Sequence, residues 1–180
     1  TRNGDNQYIA EVTIPEMLKL KQAGKIRYIG INSNSIHDLI DLANRSSVDT
    51  ILNFLHYNLL DQSLDKELSP FARQNDIGLI NASVFQMGLL TPSVKVPYGW
   101  NRSWEGEQGE IRQKVIEANR YCEGYGFTIS DLALRFAVAY KGVDSTLIGI
   151  GSMNSINRSL TALHSVIDPE HFKHVCDMFK

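Results

Sequence analysis

Four short apolar runs alternate with stretches of helical periodicity along the 180 residues, and this alternation predicts an α/β fold built on a parallel sheet. The composition supports a globular chain with an ample core, at 43% hydrophobic and 21% charged residues. No apolar run approaches the length of a membrane span, so no membrane partner is expected.

The first run, residues 25–31, reads KIRYIGI and is rich in β-branched and aromatic residues. Residues 50–55, 77–82 and 145–150 supply the other three. Near-continuous apolar runs of this length suit strands covered on both faces. Helical signals lie between them. Thr13 and Glu16 have the spacing of a capping box, Ile14, Met17 and Leu18 form an apolar stripe, and Gly24 suits the position after the last turn. Ile36, Leu39 and Ile40 predict a helix over residues 35–43, and Leu68 and Phe71 a shorter one over 67–74. Ile111, Val115, Ala118 and Cys122 fall at offsets of 0, 4, 7 and 11, one face of a longer helix with Cys122 in the core. Further helices are expected after Ser130, around Ile156, Leu160 and Leu163, and over 169–180. Residues 92–109, with Trp100 and Trp104, form the one long loop.

Four strand–helix units imply parallel pairing with right-handed crossovers. A small doubly wound sheet and part of a (β/α)8 barrel both satisfy that pattern. A complete barrel needs at least about 200 residues.

With 18 Lys+Arg against 20 Asp+Glu the net charge is -2, without the basic footprint of a nucleic-acid binder. Two cysteines cannot build a disulfide framework, and the polar first residues lack the apolar segment of a signal peptide, so a reduced, cytoplasmic setting is expected. His171 and His174, three apart, have no supporting cluster of Cys, Asp or Glu, so no metal site is expected.

Specific words then choose between the two architectures. Residues 20–31, LKQAGKIRYIGI, closely resemble a passage of the aldo-keto reductases that leads into the fifth strand of a TIM barrel. Residues 56–60 (HYNLL), 76–91 (DIGLINASVFQMGLLT) and 145–152 (STLIGIGS) resemble the family's sixth, seventh and eighth strand segments, in that order. Within the family they look most like the L-galactose dehydrogenase and aldose 1-dehydrogenase branch. The resemblance implies a partial TIM (β/α)8 barrel, strands 5 to 8 with their helices, so that residues 1–180 form a C-terminal half without the N-terminal half. It implies an oxidoreductase passing hydride between NADP or NAD and a small carbonyl or sugar C1. The catalytic Asp, Tyr, Lys and His belong to the family's first four units, so no catalytic residue is assigned here. The alternative is a non-catalytic truncated fragment or cofactor-binding remnant without the Asp-Tyr-Lys-His set, binding cofactor weakly or not at all. Half a barrel would also leave two sheet edges for self-association.

The resemblance further implies cofactor-binding residues. Asn32 and Ser33 match, in swapped order, the pair that holds the nicotinamide carboxamide; capping of the next helix is the competing role. Phe54 stands where the family commonly has Gln, and Ala82 where it has a stacking Tyr. His56, two residues beyond Phe54, is either a general acid or a packed rim residue. Ser83 and Phe85 belong to the loop that wraps the diphosphate. Gly149, Gly151 and Ser152 join the last strand to the last barrel helix, where glycines admit close approach and a helix start favours an anion. Ser155 falls where NADP-preferring relatives often carry Arg, with Arg158 about a turn further on, which leaves NAD and NADP both open. Trp100 and Trp104 would either line a substrate pocket or pack the loop.

Overall fold

A computed structural model describes residues 5–95 and 107–180. The described residues fall into two compact units. The first comprises residues up to Tyr57 together with Gln62–Ala82 and Lys141–Leu147; the second comprises Asn58–Asp61, Ser83–Tyr140 and Ile148–Lys180.

The first unit holds the sheet. Its strands are β1 (Gly30–Ser33), β2 (Thr50–Phe54), β3 (Gly78–Ala82) and β4 (Ser145–Thr146), in spatial order β1-β2-β3-β4 with every pairing parallel. Consecutive strands that are neighbours and parallel require a crossover between each pair. The helices of this unit are α1 (Asn6–Tyr8), α2 (Ile14–Gln22), α3 (Ile36–Arg45), α4 (Ser63–Lys66) and α5 (Leu68–Gln74). α3 packs against β1, and α5 against β3.

Alternate residues of the strands divide between two faces. Ile51, Asn53, Leu79 and Asn81 are fully or almost fully buried, and Ser33 is in register with Asn53 and Asn81 on that face. The other face, carrying Leu52, Phe54, Ile80 and Ala82, is only half-buried. The buried face is polar toward the strand ends. Asn53 Nδ2 donates to Asn81 Oδ1 at 3.1 Å, and Asn81 Nδ2 donates to the Tyr57 carbonyl at 3.0 Å.

One device is used twice at the strand starts. The words Val48-Asp49-Thr50 and Val143-Asp144-Ser145 each place an aspartate immediately before a strand. Asp49 N–H donates to the Ile29 carbonyl (2.8 Å) while its carboxylate accepts the Ile29 N–H (2.7 Å). Asp144 does the same to Leu79, at 2.8 and 2.7 Å. Each aspartate therefore clamps one residue of the preceding strand segment through both backbone groups. At the same level Thr50 sits between Gly30 and Gly78, its register partners. A Cβ on Gly30 would fall 2.5 Å from Thr50 Oγ1, and one on Gly78 3.3 Å from Thr50 Cγ2.

Three sequence expectations are corrected here. Thr13 is not a helix cap: it lies inside continuous helical backbone, with Asp5 as the upstream cap accepting the Tyr8 N–H. A π-helical turn, Ile9–Thr13, joins α1 to α2, and Ile14 N–H reaches the Ile9 carbonyl. The widened turn falls just before Pro15, where a regular helix would lose a hydrogen bond and meet the ring. β1 begins at Gly30 rather than at Lys25, because Ile29 is already held by Asp49. β4 pairs over only two residues, since its partner β3 ends at Ala82, one beyond the last pair Asn81–Thr146. Gly24 behaves as expected: at φ 71° it follows Ala23, the C-cap of α2, and Lys25 N–H bonds the Leu20 carbonyl.

The second unit is helical: α6 (Glu107–Gly124), α7 (Ile129–Ala139), α8 (Met153–His164) and α9 (Pro169–Asp177), with a 3-10 turn at Gln86–Gly88. A capping box between Thr128 and Asp131 starts α7. Leu89, Leu90, Val115, Ala118, Cys122, Ile129, Leu132 and Val175 form its main core, and Val84, Leu134, Ala137 and Ala162 a second cluster. Burial pushes the Cys122 thiol up to about 12. Trp100 and Trp104 lie outside the described residues.

Candidate functional site

In the first unit, neighbouring residues of β1 part company. Asn32 is exposed, on the face of Leu52 and Ile80; Ser33 is 7% exposed on the buried face, and its hydroxyl accepts the Ser35 N–H at 3.1 Å. Of the pair, Asn32 is the exposed one. Phe54 is half-buried on the same face as Asn32, at the end of β2. His56 has both ring nitrogens engaged, Nδ1 with Ser63 Oγ and Nε2 with the Asn34 carbonyl, each at 3.0 Å. A carbonyl only accepts, so Nε2 carries the proton. This arrangement is that of a bridging rim residue.

In the second unit, Phe85, Gly149, Ser155 and Arg158 line one open cavity of about 450 Å³. Ser130, Asp131, Ser159, Gly88 and Lys95 line it too. Gly151, Ser152 and Ser83 are not among its lining. Ser152 instead caps α8, its hydroxyl accepting the Ser155 N–H at 3.2 Å. Ser83 has φ 63° and turns the chain immediately after β3, with its carbonyl accepting from Gln86 N–H.

The cavity lining combines two cations, one carboxylate and several hydroxyls with open space beside the backbone. A Cβ built on Gly149 or Gly151 would meet nothing within 4 Å. Arg158 and Lys95 are its cations. Asp131 is its acid, and that carboxylate is already engaged by the Thr128 N–H at 2.8 Å. The start of a helix adjoins it through Ser155. Lys95 was not legible as a site residue, because it lies beyond the glycine-bearing word in the loop after β3. It is brought in by its N–H, which donates to the Gly88 carbonyl at 3.1 Å.

The paired histidines of α9 serve packing. Tyr121 O–H and His171 Nδ1 are 2.8 Å apart, and the Tyr121 ring stacks on His174 at 4.3 Å. Among the described residues no group of three or more His, Cys, Asp or Glu could hold a metal ion. No helix among them is long and apolar enough to cross a membrane.

The fold is shared with solved aldo-keto reductases. An aldo-keto reductase from Bacillus halodurans in its apo form superposes with a TM-score of 0.68 over 93% of this chain and 56% of that one, at 21% identity. The aldo/keto reductase family model matches residues 4–178, and the chain belongs to that family. L-galactose dehydrogenase of Arabidopsis thaliana is 31% identical over 163 residues, covering 89% of this chain and 49% of the relative. The NADH-specific methylglyoxal reductase of Escherichia coli (strain K12) is 29% identical, covering 87% and 49%. The chain thus spans about half the length of the curated relatives it matches.

Proposed function

We infer that the chain is the cofactor-binding part of an NAD(P)-dependent oxidoreductase acting on a small carbonyl or a sugar at C1, and that its four strands are strands 5 to 8 of a (β/α)8 barrel. The cavity lined by Phe85, Gly149, Ser155 and Arg158 carries this reading, since it gathers four of the expected cofactor residues around space, cations and a helix start. When bound, the nicotinamide supplies or accepts the hydride. Within the second unit Gly149, Gly151 and Ser155 would admit the adenosine phosphates, while for the first unit's Asn32 and Phe54 the family resemblance implies nicotinamide roles. The acid/base residues of the reaction belong, by the family's pattern, to the first four units. The L-galactose dehydrogenase resemblance favours an aldose as substrate. Titration of the 180-residue chain with NADPH and NADH, followed by nicotinamide fluorescence, tests the reading. Saturable binding of either supports it, and binding of neither overturns it.

The sheet edges suggest self-association. Among the described residues β1 and β4 each have one strand neighbour, and the Leu52–Phe54–Ile80 face is half-buried. Sedimentation velocity over a wide concentration range is expected to show association; a concentration-independent monomer would overturn it.

A further inference from the structure

β2 ends at Phe54, and the next residue, Leu55, takes φ 77°, in the left-handed region that a bulky side chain disfavours. Contacts on both sides hold it there. Leu55 N–H donates to the Ala82 carbonyl (3.4 Å), and the His56 carbonyl accepts the Leu64 N–H (3.0 Å). Strain of this kind persists only where the surroundings over-determine it, and it clusters where placement serves function. The residue it delivers is His56. Its half-buried ring bridges two loops: Nδ1 takes the Ser63 hydroxyl and Nε2–H donates to the Asn34 carbonyl, each at 3.0 Å. Ser63 starts α4 beside the fully buried Leu64, so this end of the bridge is fixed.

The other end lies in the turn between β1 and α3. Within that turn the Ser33 hydroxyl accepts the Ser35 N–H (3.1 Å), and the Ser35 hydroxyl accepts the Asp38 N–H (3.2 Å). Those bonds are local and shape the turn. The bond from His56 crosses 22 residues and sets where the turn sits against the neighbouring loop. The exposed Asn32 stands two residues before the carbonyl that His56 holds.

We propose that His56 is a positioning residue, aimed by the strained Leu55, that fixes Asn32 for its ligand by holding the Asn34 carbonyl. The inference rests on the nicotinamide role given to Asn32 above and adds the residue that preorganises it. His56 itself transfers no proton: both ring nitrogens are committed to the bridge.

The test is binding to the whole chain of NADH and NADPH, followed by nicotinamide fluorescence, beside calorimetry with 5′-ADP, which carries no nicotinamide. His56→Leu is expected to weaken the better-binding dinucleotide about tenfold and to lower its fluorescence enhancement, with 5′-ADP affinity unchanged. His56→Gln keeps an N–H donor for Asn34 and should restore binding to within about threefold of the parent. Should His56→Leu fail to fold, Leu55→Gly carries the test, because glycine adopts φ 77° freely without enforcing it; it should weaken the dinucleotide at least about threefold and again spare 5′-ADP. Unchanged dinucleotide affinity, equal weakening of dinucleotide and 5′-ADP, or no rescue by glutamine overturns the proposal and leaves the cofactor reading intact. A parent chain that binds neither dinucleotide overturns both.

Discussion

Asp49 and Lys21 lie 28 residues apart, and the lysine ammonium contacts both carboxylate oxygens, at 2.6 and 2.7 Å. The same carboxylate holds the Ile29 N–H. The pair ties the end of α2 to the entrance of β1 and the start of β2. The lysine and the amide together hold the Asp49 carboxyl below its ordinary value of 3.8. A depressed folded-state value stabilises the fold above the ordinary value and is lost as pH falls through the folded one. Asp49→Ala is expected to cost about 1–3 kcal/mol near neutrality and to flatten the acid limb of stability. Urea titrations of both proteins across acidic pH check this; parallel pH profiles would contradict it.

Gly30 and Gly78 flank Thr50 in register, and the space between the strands there is already filled by the threonine. Gly30→Ala forces a contact that cannot exist and is expected to destabilise by about 1–3 kcal/mol. Pairing it with Thr50→Ala should recover a large part of the loss. A thermodynamic cycle of the two single variants and the double variant measures the coupling, and additive losses would refute a shared volume.

Cys122 is fully buried in the main helical core and its thiol is pushed up to about 12, so the reactive thiolate is suppressed at neutral pH. Mass spectrometry after treatment with iodoacetamide should find this cysteine unmodified in the native protein and modified at the rate of unfolding in denaturant. Rapid labelling under native conditions would place it outside the core.

Gly149→Leu adds a side chain where nothing lies within 4 Å of the first added atom. It should leave the melting temperature near that of the parent and weaken nucleotide binding at least about tenfold, because the new side chain enters the cavity. Unchanged affinity would show that the ligand does not pass this turn.

The strand–helix alternation was legible in the sequence because apolar runs at β2 and β3 and apolar periodicity at α3, α6 and α8 agree with their surroundings. The boundaries were less so. Ile29 has strand chemistry but is fixed by a side chain from elsewhere, and β4 ends one residue short of the end of its neighbour β3, which no local propensity records. Thr13 carried a capping word inside a helix that had already begun at Asp5. In the candidate cavity, Gly149, Ser155 and Arg158 stand close together in sequence, as the sequence reading grouped them. Lys95 was not among them, because backbone pairing with Gly88 rather than proximity in sequence brings it to the cavity. The separation of Ser33 from Asn32 follows from strand alternation, once β1 is known to include both.

The twin aspartate clamps at Asp49 and Asp144 also bear on how the sheet is assembled. A strand sliding by one residue would turn its apolar set to the wrong face and carry the carboxylate away from the single amide it fits. Each clamp therefore acts as a proofreading contact: the incoming strand is rewarded only when aligned. For β4, which contributes just two paired residues, that one carboxylate supplies much of the information that tells the strand where to begin.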